Sequence, residues 1–128
     1  MRALLDTHAF LWWTSGGSQI SERARAVIED PATTVLFSVA AAWEIAIKVA
    51  RGRLELPQPP ERYVPDRLRR HRMSVLDVGL SHALRAGALP DIHADPFDRL
   101  LVAQAQLEGI PILTADPLIG RYDVETIW

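Results

Sequence analysis

The chain has 128 residues, 48% hydrophobic and 23% charged, with a formal net charge of −2 and no cysteine. That length suits one domain with one real core. The lack of Cys excludes a disulfide scaffold, a thiolate zinc site and a thiol nucleophile. No stretch reaches the ~18–20 consecutive apolar residues that span a bilayer. Asp6 interrupts the apolar run MRALLDTHAFLWW, which argues against a signal peptide. The expectation is a soluble, cytoplasmic single domain covering 1–128, away from membranes.

The small net charge conceals an asymmetry. Residues 1–44 carry −2, residues 45–88 carry +5 and residues 89–128 carry −5. A basic middle beside an acidic end either reflects scatter on a solvated surface or separates two binding surfaces.

In chain order, RALL (2–5) reads as a buried strand ending at Asp6, and residues 8–14 as a helix broken by Ser15-Gly16-Gly17-Ser18. Ser21-Glu22 opens a short helix stopped by Pro31, and TTVLF (33–37) is a second strand. Ser38 suits the N-cap of a helix over 39–51, closed by Gly52. After the Pro-rich connection LELPQPP come an arginine-laden helix (61–71), a strand (74–78) and a short helix (81–86). A loop (89–95) leads to a helix opening at Pro96 and ending near Gly109, then to strands at 110–114 and 124–128. Strands alternating with helices predict an α/β fold: a three-layer sandwich around a mainly parallel, twisted sheet of four to five strands.

Ligands of open parallel sheets bind beyond the carboxyl ends of the strands. Asp6 follows the first strand, Asp116 follows the fourth, Glu44 lies early in the helix after the second, and Asp98 lies in the first turn of the helix at Pro96. Two unit charges about 4 Å apart repel by roughly 4 kcal/mol at an effective dielectric near 20. Acids gathered there therefore call for a cation, and an oxygen donor set suits Mg²⁺ or Mn²⁺. Such a site can activate water and clamp a phosphodiester.

Each acid also has a structural reading. Asp6, Asp95 and Asp116 suit N-caps, the last two preceding Pro, and Glu44 stands four residues before Lys48. His93-x-Asp95 is a further candidate chelate, while His8, His71 and His82 have no partner visible in sequence. The four Trp suit the core or a subunit interface. Arg62, Arg67, Arg69, Arg70 and Arg72 form the densest basic patch, either a solvated helix face or a phosphate-backbone contact. There is no G-x-S-x-G elbow, Walker A loop or dinucleotide fingerprint. A receiver-type phosphoacceptor is set aside because Asp6 has no adjacent acid and residues 110–128 contain no Lys.

LLDTHAFLWW, SVAAAWEIAIKVARGRLEL, HADPFDRLLVAQAQLEG and ILTAD together, in this order, resemble PIN-domain ribonucleases, and more narrowly VapC-type toxins of type II toxin–antitoxin pairs. The resemblance implies a single PIN domain over 1–128, endoribonuclease activity on structured RNA such as tRNA or rRNA, and dependence on Mg²⁺ or Mn²⁺. It implies Asp6, Glu44, Asp98 and Asp116 as catalytic and metal-binding residues, with Asp95 as an alternative ligand. It also implies a homodimer and a cognate VapB-type antitoxin that blocks the acidic site, with higher assembly in the complex. Thr7, Lys48, Arg51, Arg67 and Arg70 are then the candidate RNA contacts. A catalytically inactive PIN-like module binding RNA or protein is the alternative expectation.

Overall fold

Successive residues of the first strands face opposite sides of one sheet, and both sides are apolar. In the computed structural model, which describes residues 1–128, Ala3 and Leu5 enter one core while Leu4 between them enters another. β2 repeats the pattern: Val35 and Phe37 join the first core and Leu36 the second. This period of two, apolar on both faces, is what a parallel sheet covered by helices on both sides requires.

The elements run β1 (Arg2–Leu5), α1 (Thr7–Thr14), α2 (Glu22–Glu29), β2 (Thr34–Ser38), α3 (Val39–Ala50), α4 (Pro60–Arg70), β3 (Ser74–Leu76), α5 (Leu80–Ala88), α6 (Pro96–Glu108), β4 (Ile112–Leu113) and β5 (Thr126–Ile127). All strands pair in parallel, in the order β3-β2-β1-β4-β5. Side chains of α1 to α4 fill the first core, with Phe10, Ala24, Ile45 and Tyr63 among them, and Leu101, Val102 and Ala105 of α6 fill the second. The result is the three-layer sandwich that the alternation predicts.

Three strands, β3, β4 and β5, are shorter than predicted. Pairing around β4 nevertheless runs from the Pro111 carbonyl, which accepts from Leu4 N, to Thr114 N, which donates to the Ile127 carbonyl. Pro111 can take part only as an acceptor. No helix is long and apolar enough to cross a membrane.

Capping sets where helices start at the carboxyl edge of the sheet. Asp6 accepts from Ala9 N, Ser38 from Ala40 N, and Asp95 from Phe97 N. Each contact satisfies an orphan donor of a first helical turn and is worth typically about 1 kcal/mol. At the far end of α6, Gly109 takes the left-handed conformation (φ 66°) that ends the helix. Gln104, fully buried, ties α6 to two strand ends, accepting from Ser38 Oγ at 2.6 Å and donating to the Asp77 carbonyl at 3.2 Å.

The sheet order has a switch point. The chain moves outward from β1 through β2 to β3, then crosses back to place β4 on the other side of β1. Neighbouring strands whose connections leave in opposite directions open a crevice at their carboxyl ends. Here that crevice is between β1 and β4, and the next residues are Asp6 and Thr114.

Candidate functional site

Asp6 and Thr114 meet across the switch point: the Thr114 hydroxyl donates to Asp6 Oδ2, while Ala9 N donates to Oδ1 at 2.7 Å. Asp6 is thus both N-cap and buried carboxylate, with 4% of its surface exposed. Burial raises its pKa above the ordinary carboxylate range, as does the charge of Asp116. The two hydrogen bonds and the neighbouring His8 oppose that rise.

Thr114 also orients the loop that carries the next acid. Its hydroxyl oxygen accepts from Asp116 N at 3.0 Å, and Asp116 Oδ1 accepts from Leu118 N at 2.9 Å. Asp116-Pro117 does not start an α-helix; a short 3₁₀ turn, Ile119–Arg121, follows instead. The local bonds hold Asp116 beside the crevice without a helix.

Glu44, on the second turn of α3, is buried against two partners. Thr7 Oγ1 donates to Oε1 at 2.6 Å and Lys48 Nζ to Oε2 at 2.6 Å. The i,i+4 pair exists, and the Thr7 bond adds a link from α1 to α3. Thr7 itself is buried, so its expected RNA contact is not what the structure provides: it positions Glu44. Hydrogen bonds to charged groups contribute about 1.5–3 kcal/mol. Thr7→Val is therefore expected to lower unfolding free energy by about that much in a denaturant titration.

Asp98 lies where the acids converge. Its pKa is pushed up to about 8, first by burial and then by the charges of Asp95, Glu44, Asp6 and Asp116. Asp95 caps α6, accepting from Phe97 N at 2.9 Å and from Asp98 N at 3.3 Å. Asp98, not Asp95, stands with His93 and Asp116 in a group whose ligand atoms all lie within 4.8 Å of one another. The spacing His93-x-Asp95 suggested a different pair; the loop turns His93 towards Asp98, with Nε2 3.6 Å from Oδ2.

This donor set fits a divalent cation. Four carboxylates, Asp95, Glu44, Asp6 and Asp116, add to burial in raising Asp98 to about 8. Beside them His93 Nε2 is buried without a hydrogen-bond partner, an unusual condition for a buried polar atom.

A groove of about 410 Å³ adjoins the acids. It is lined by Glu44, Ile47, Lys48, Arg51 and Arg53 on one side and Ala94 to Phe97 on the other. Lys48 and Arg51 of the expected RNA contacts are here, joined by Arg53, which the sequence reading missed. Arg67 and Arg70 are not. Both pair with Asp66, and Arg67 lies over the Tyr63 ring, 4.5 Å from its centre. Beyond the end of α4, His71 and Arg72 line a depression with Thr33 and Val35, at the entry end of β2. The arginine-rich helix therefore leads away from the acids. A second hollow beside Asp6 and Asp116 is walled by His8 and Trp12.

Of the other histidines, His71 accepts from Trp13 Nε1 at 3.2 Å, and His82 accepts from Gly79 N at 2.9 Å. Trp12 and Trp13 pack against the first core with Trp128. Trp43 is no core residue: it is 63% exposed and meets the Phe97 ring edge-on at 5.6 Å.

Comparison with known proteins identifies the family and agrees with the fold. The PIN domain family model matches residues 3–125. The chain is similar to Ribonuclease VapC16 of Mycobacterium tuberculosis, with 42% identity over 74 residues, which are 56% of this chain and 52% of that protein. The alignment thus spans about half the length of that relative. Among solved structures, the chain resembles the DNA-bound VapBC of Salmonella typhimurium, with a TM-score of 0.70, 16% identity, and 98% of this chain and 96% of that chain covered. It also resembles VapBC2 of Rickettsia felis bound to a promoter DNA fragment, with a TM-score of 0.68, 13% identity and both chains fully covered. VapBC-1 of nontypeable Haemophilus influenzae is similar at a TM-score of 0.64 and 20% identity, over 98% of this chain and 96% of that chain.

Proposed function

This chain belongs to the PIN domain family, and on that footing we propose that it is a divalent-metal-dependent endoribonuclease, the toxin of a type II toxin–antitoxin pair. The observation that carries this reading is the convergence of Asp6, Glu44, Asp98 and Asp116 on one crevice, where burial first and then the charges of its neighbours push Asp98 up to about 8. Asp6, Asp98 and Asp116 would hold the ion, Mg²⁺ or Mn²⁺. Glu44, fixed by Thr7 and Lys48, binds the ion or orients the attacking water. When bound, the ion supplies charge neutralisation at the phosphodiester and activation of water. Lys48, Arg51 and Arg53 track the RNA backbone along the adjoining groove, a sequence-independent and salt-sensitive contact.

The similarity to VapBC complexes supports an antitoxin as partner; a homodimer is proposed with it. A segment laid in the groove beside Glu44 and Asp95 would cover the acids and exclude RNA together.

The reading is tested by mapping RNA 5′ ends after pulse expression of wild type and of Asp6→Asn. New ends in the wild type alone support it. RNA binding indifferent to a chelator, with no cleavage under any divalent ion, would favour a binding module instead. The groove makes its own expected result. Arg51→Glu with Arg53→Glu should weaken RNA binding across all sequences and flatten the salt dependence by about two phosphate contacts. Arg69→Glu with Arg70→Glu should change neither, as read by filter binding at several salt concentrations.

A further inference from the structure

We propose that His93 is itself a metal ligand, through Nε2, and that this nitrogen shifts the site from Mg²⁺ towards a first-row transition-metal dication. The inference rests on the metal-dependent reading above and adds a donor to its carboxylates. His93 Nε2, Asp98 and Asp116 offer ligand atoms within 4.8 Å of one another. Bonds of about 2.1 Å to one ion place donors roughly 3–4 Å apart, so small side-chain adjustments suffice. The imidazole side chain is only 10% exposed, and Nε2 has no hydrogen-bond partner. No hydrogen bond engages that atom, Asp98 Oδ2 stands 3.6 Å from it, and no open solvent reaches it.

The other ring nitrogen is already engaged. Nδ1 lies 3.0 Å from the Tyr122 hydroxyl oxygen, which also accepts from the His93 backbone N–H at 3.3 Å. Tyr122 is buried and packs beside the imidazole, with ring centres 5.4 Å apart. With Nδ1–H donating to that oxygen, the Nε2 lone pair is turned towards Asp98. A metal-ligating His usually donates its second ring N–H to such a partner, which fixes tautomer and orientation. Ser, Thr or a backbone group near Nε2 would have argued for a structural histidine, and none bonds it.

The donor set has a selectivity consequence. Mg²⁺ takes oxygen ligands and keeps its waters, whereas imidazole suits transition-metal ions. The purified full chain, stripped of metal, is titrated with Mn²⁺ and separately with Mg²⁺ by calorimetry, and the Mn²⁺ form is examined by pulsed electron paramagnetic resonance. The expected spectrum carries nitrogen modulation, which switches from the ¹⁴N to the ¹⁵N pattern when histidine is ¹⁵N-labelled. The modulation persists in His8→Asn and is lost in His93→Asn, whose amide retains a donor for Tyr122. His93→Asn, which removes the ligand itself, should weaken Mn²⁺ binding by at least the roughly 10–100-fold that loss of a partner behind a ligand costs, and Mg²⁺ binding far less. Mn²⁺ bound by the wild type without nitrogen modulation overturns the inference and leaves an oxygen-only metal site standing. Absence of Mn²⁺ binding by the wild type overturns both. The labelled wild-type spectrum decides the matter even if His93→Asn fails to fold.

Discussion

Asp6→Asn is expected to reduce RNA cleavage by more than 100-fold while leaving the metal-free protein at least as stable as wild type. Loss of a partner behind a metal ligand typically costs about 10–100-fold, so loss of the ligand's own charge should exceed that range. Stability moves the other way for an electrostatic reason. Burial raises the Asp6 pKa, so the ionised form of Asp6 is disfavoured in the folded chain relative to the unfolded one. An amide removes that charge, and its oxygen still accepts from Ala9 N, which preserves the N-cap of α1. Thermal unfolding with chelator present checks the second half, and cleavage of total RNA in Mn²⁺ the first. A variant that cleaves like wild type, or that unfolds far below it, contradicts the assignment.

The second large effect concerns pH. The Asp98 pKa is raised to about 8 in the folded protein against about 3.9 in an unfolded chain. Between those values the folded state holds more protons. Without metal, stability should therefore fall as pH rises from about 4 to 8 and level off above. Metal binding has the opposite dependence, because the ion must displace the Asp98 proton. Affinity is expected to rise about tenfold per pH unit below 8 and flatten above it, for one proton displaced. Calorimetry at pH 6 in buffers of different ionisation enthalpy should register close to one proton released per ion, and very little at pH 9. The shift in Tm produced by a fixed Mn²⁺ concentration should accordingly be larger at pH 8 than at pH 6. A pH-independent shift would show that the crowding of carboxylates around Asp98 plays no part in binding.

The layers and the sheet were legible because they rest on local periodicity and punctuation. RALL and TVLF declare buried strands; Ser38, Pro96 and Gly109 mark helix ends. The acids were legible for a related reason: a carboxylate at the end of an apolar strand, or within VAAAWEIAIKVA, has few cheap explanations. Contacts decided by folding were not. The Thr114 hydroxyl meets Asp6 only because β4 crosses back to lie beside β1, and no spacing announces it. His93 pairs with Asp98 instead of Asp95 because Asp95 is turned inward to cap α6. The density of Arg over 62–72 pointed to a nucleic-acid surface, but orientation matters more than density. α4 ends near the entry edge of the sheet, and its Arg67 and Arg70 are engaged by Asp66. The sparser trio Lys48, Arg51 and Arg53 lines the groove beside Glu44 because the end of α3 does.

The hydrogen bond from Thr114 to Asp6 joins residues 108 positions apart, and this has a consequence for the timing of activity. Asp98, Thr114, Asp116 and Tyr122 all enter the site from the last third of the sequence, while Asp6, Thr7 and Glu44 come from its first 44 residues. During synthesis the early strands can pair and their helices can dock, yet the chain then owns carboxylates without a centre. Contacts this distant in sequence form late and slowly. On the proposed reading, the chain cannot cleave RNA until β4 lies beside β1 and brings Thr114 to Asp6.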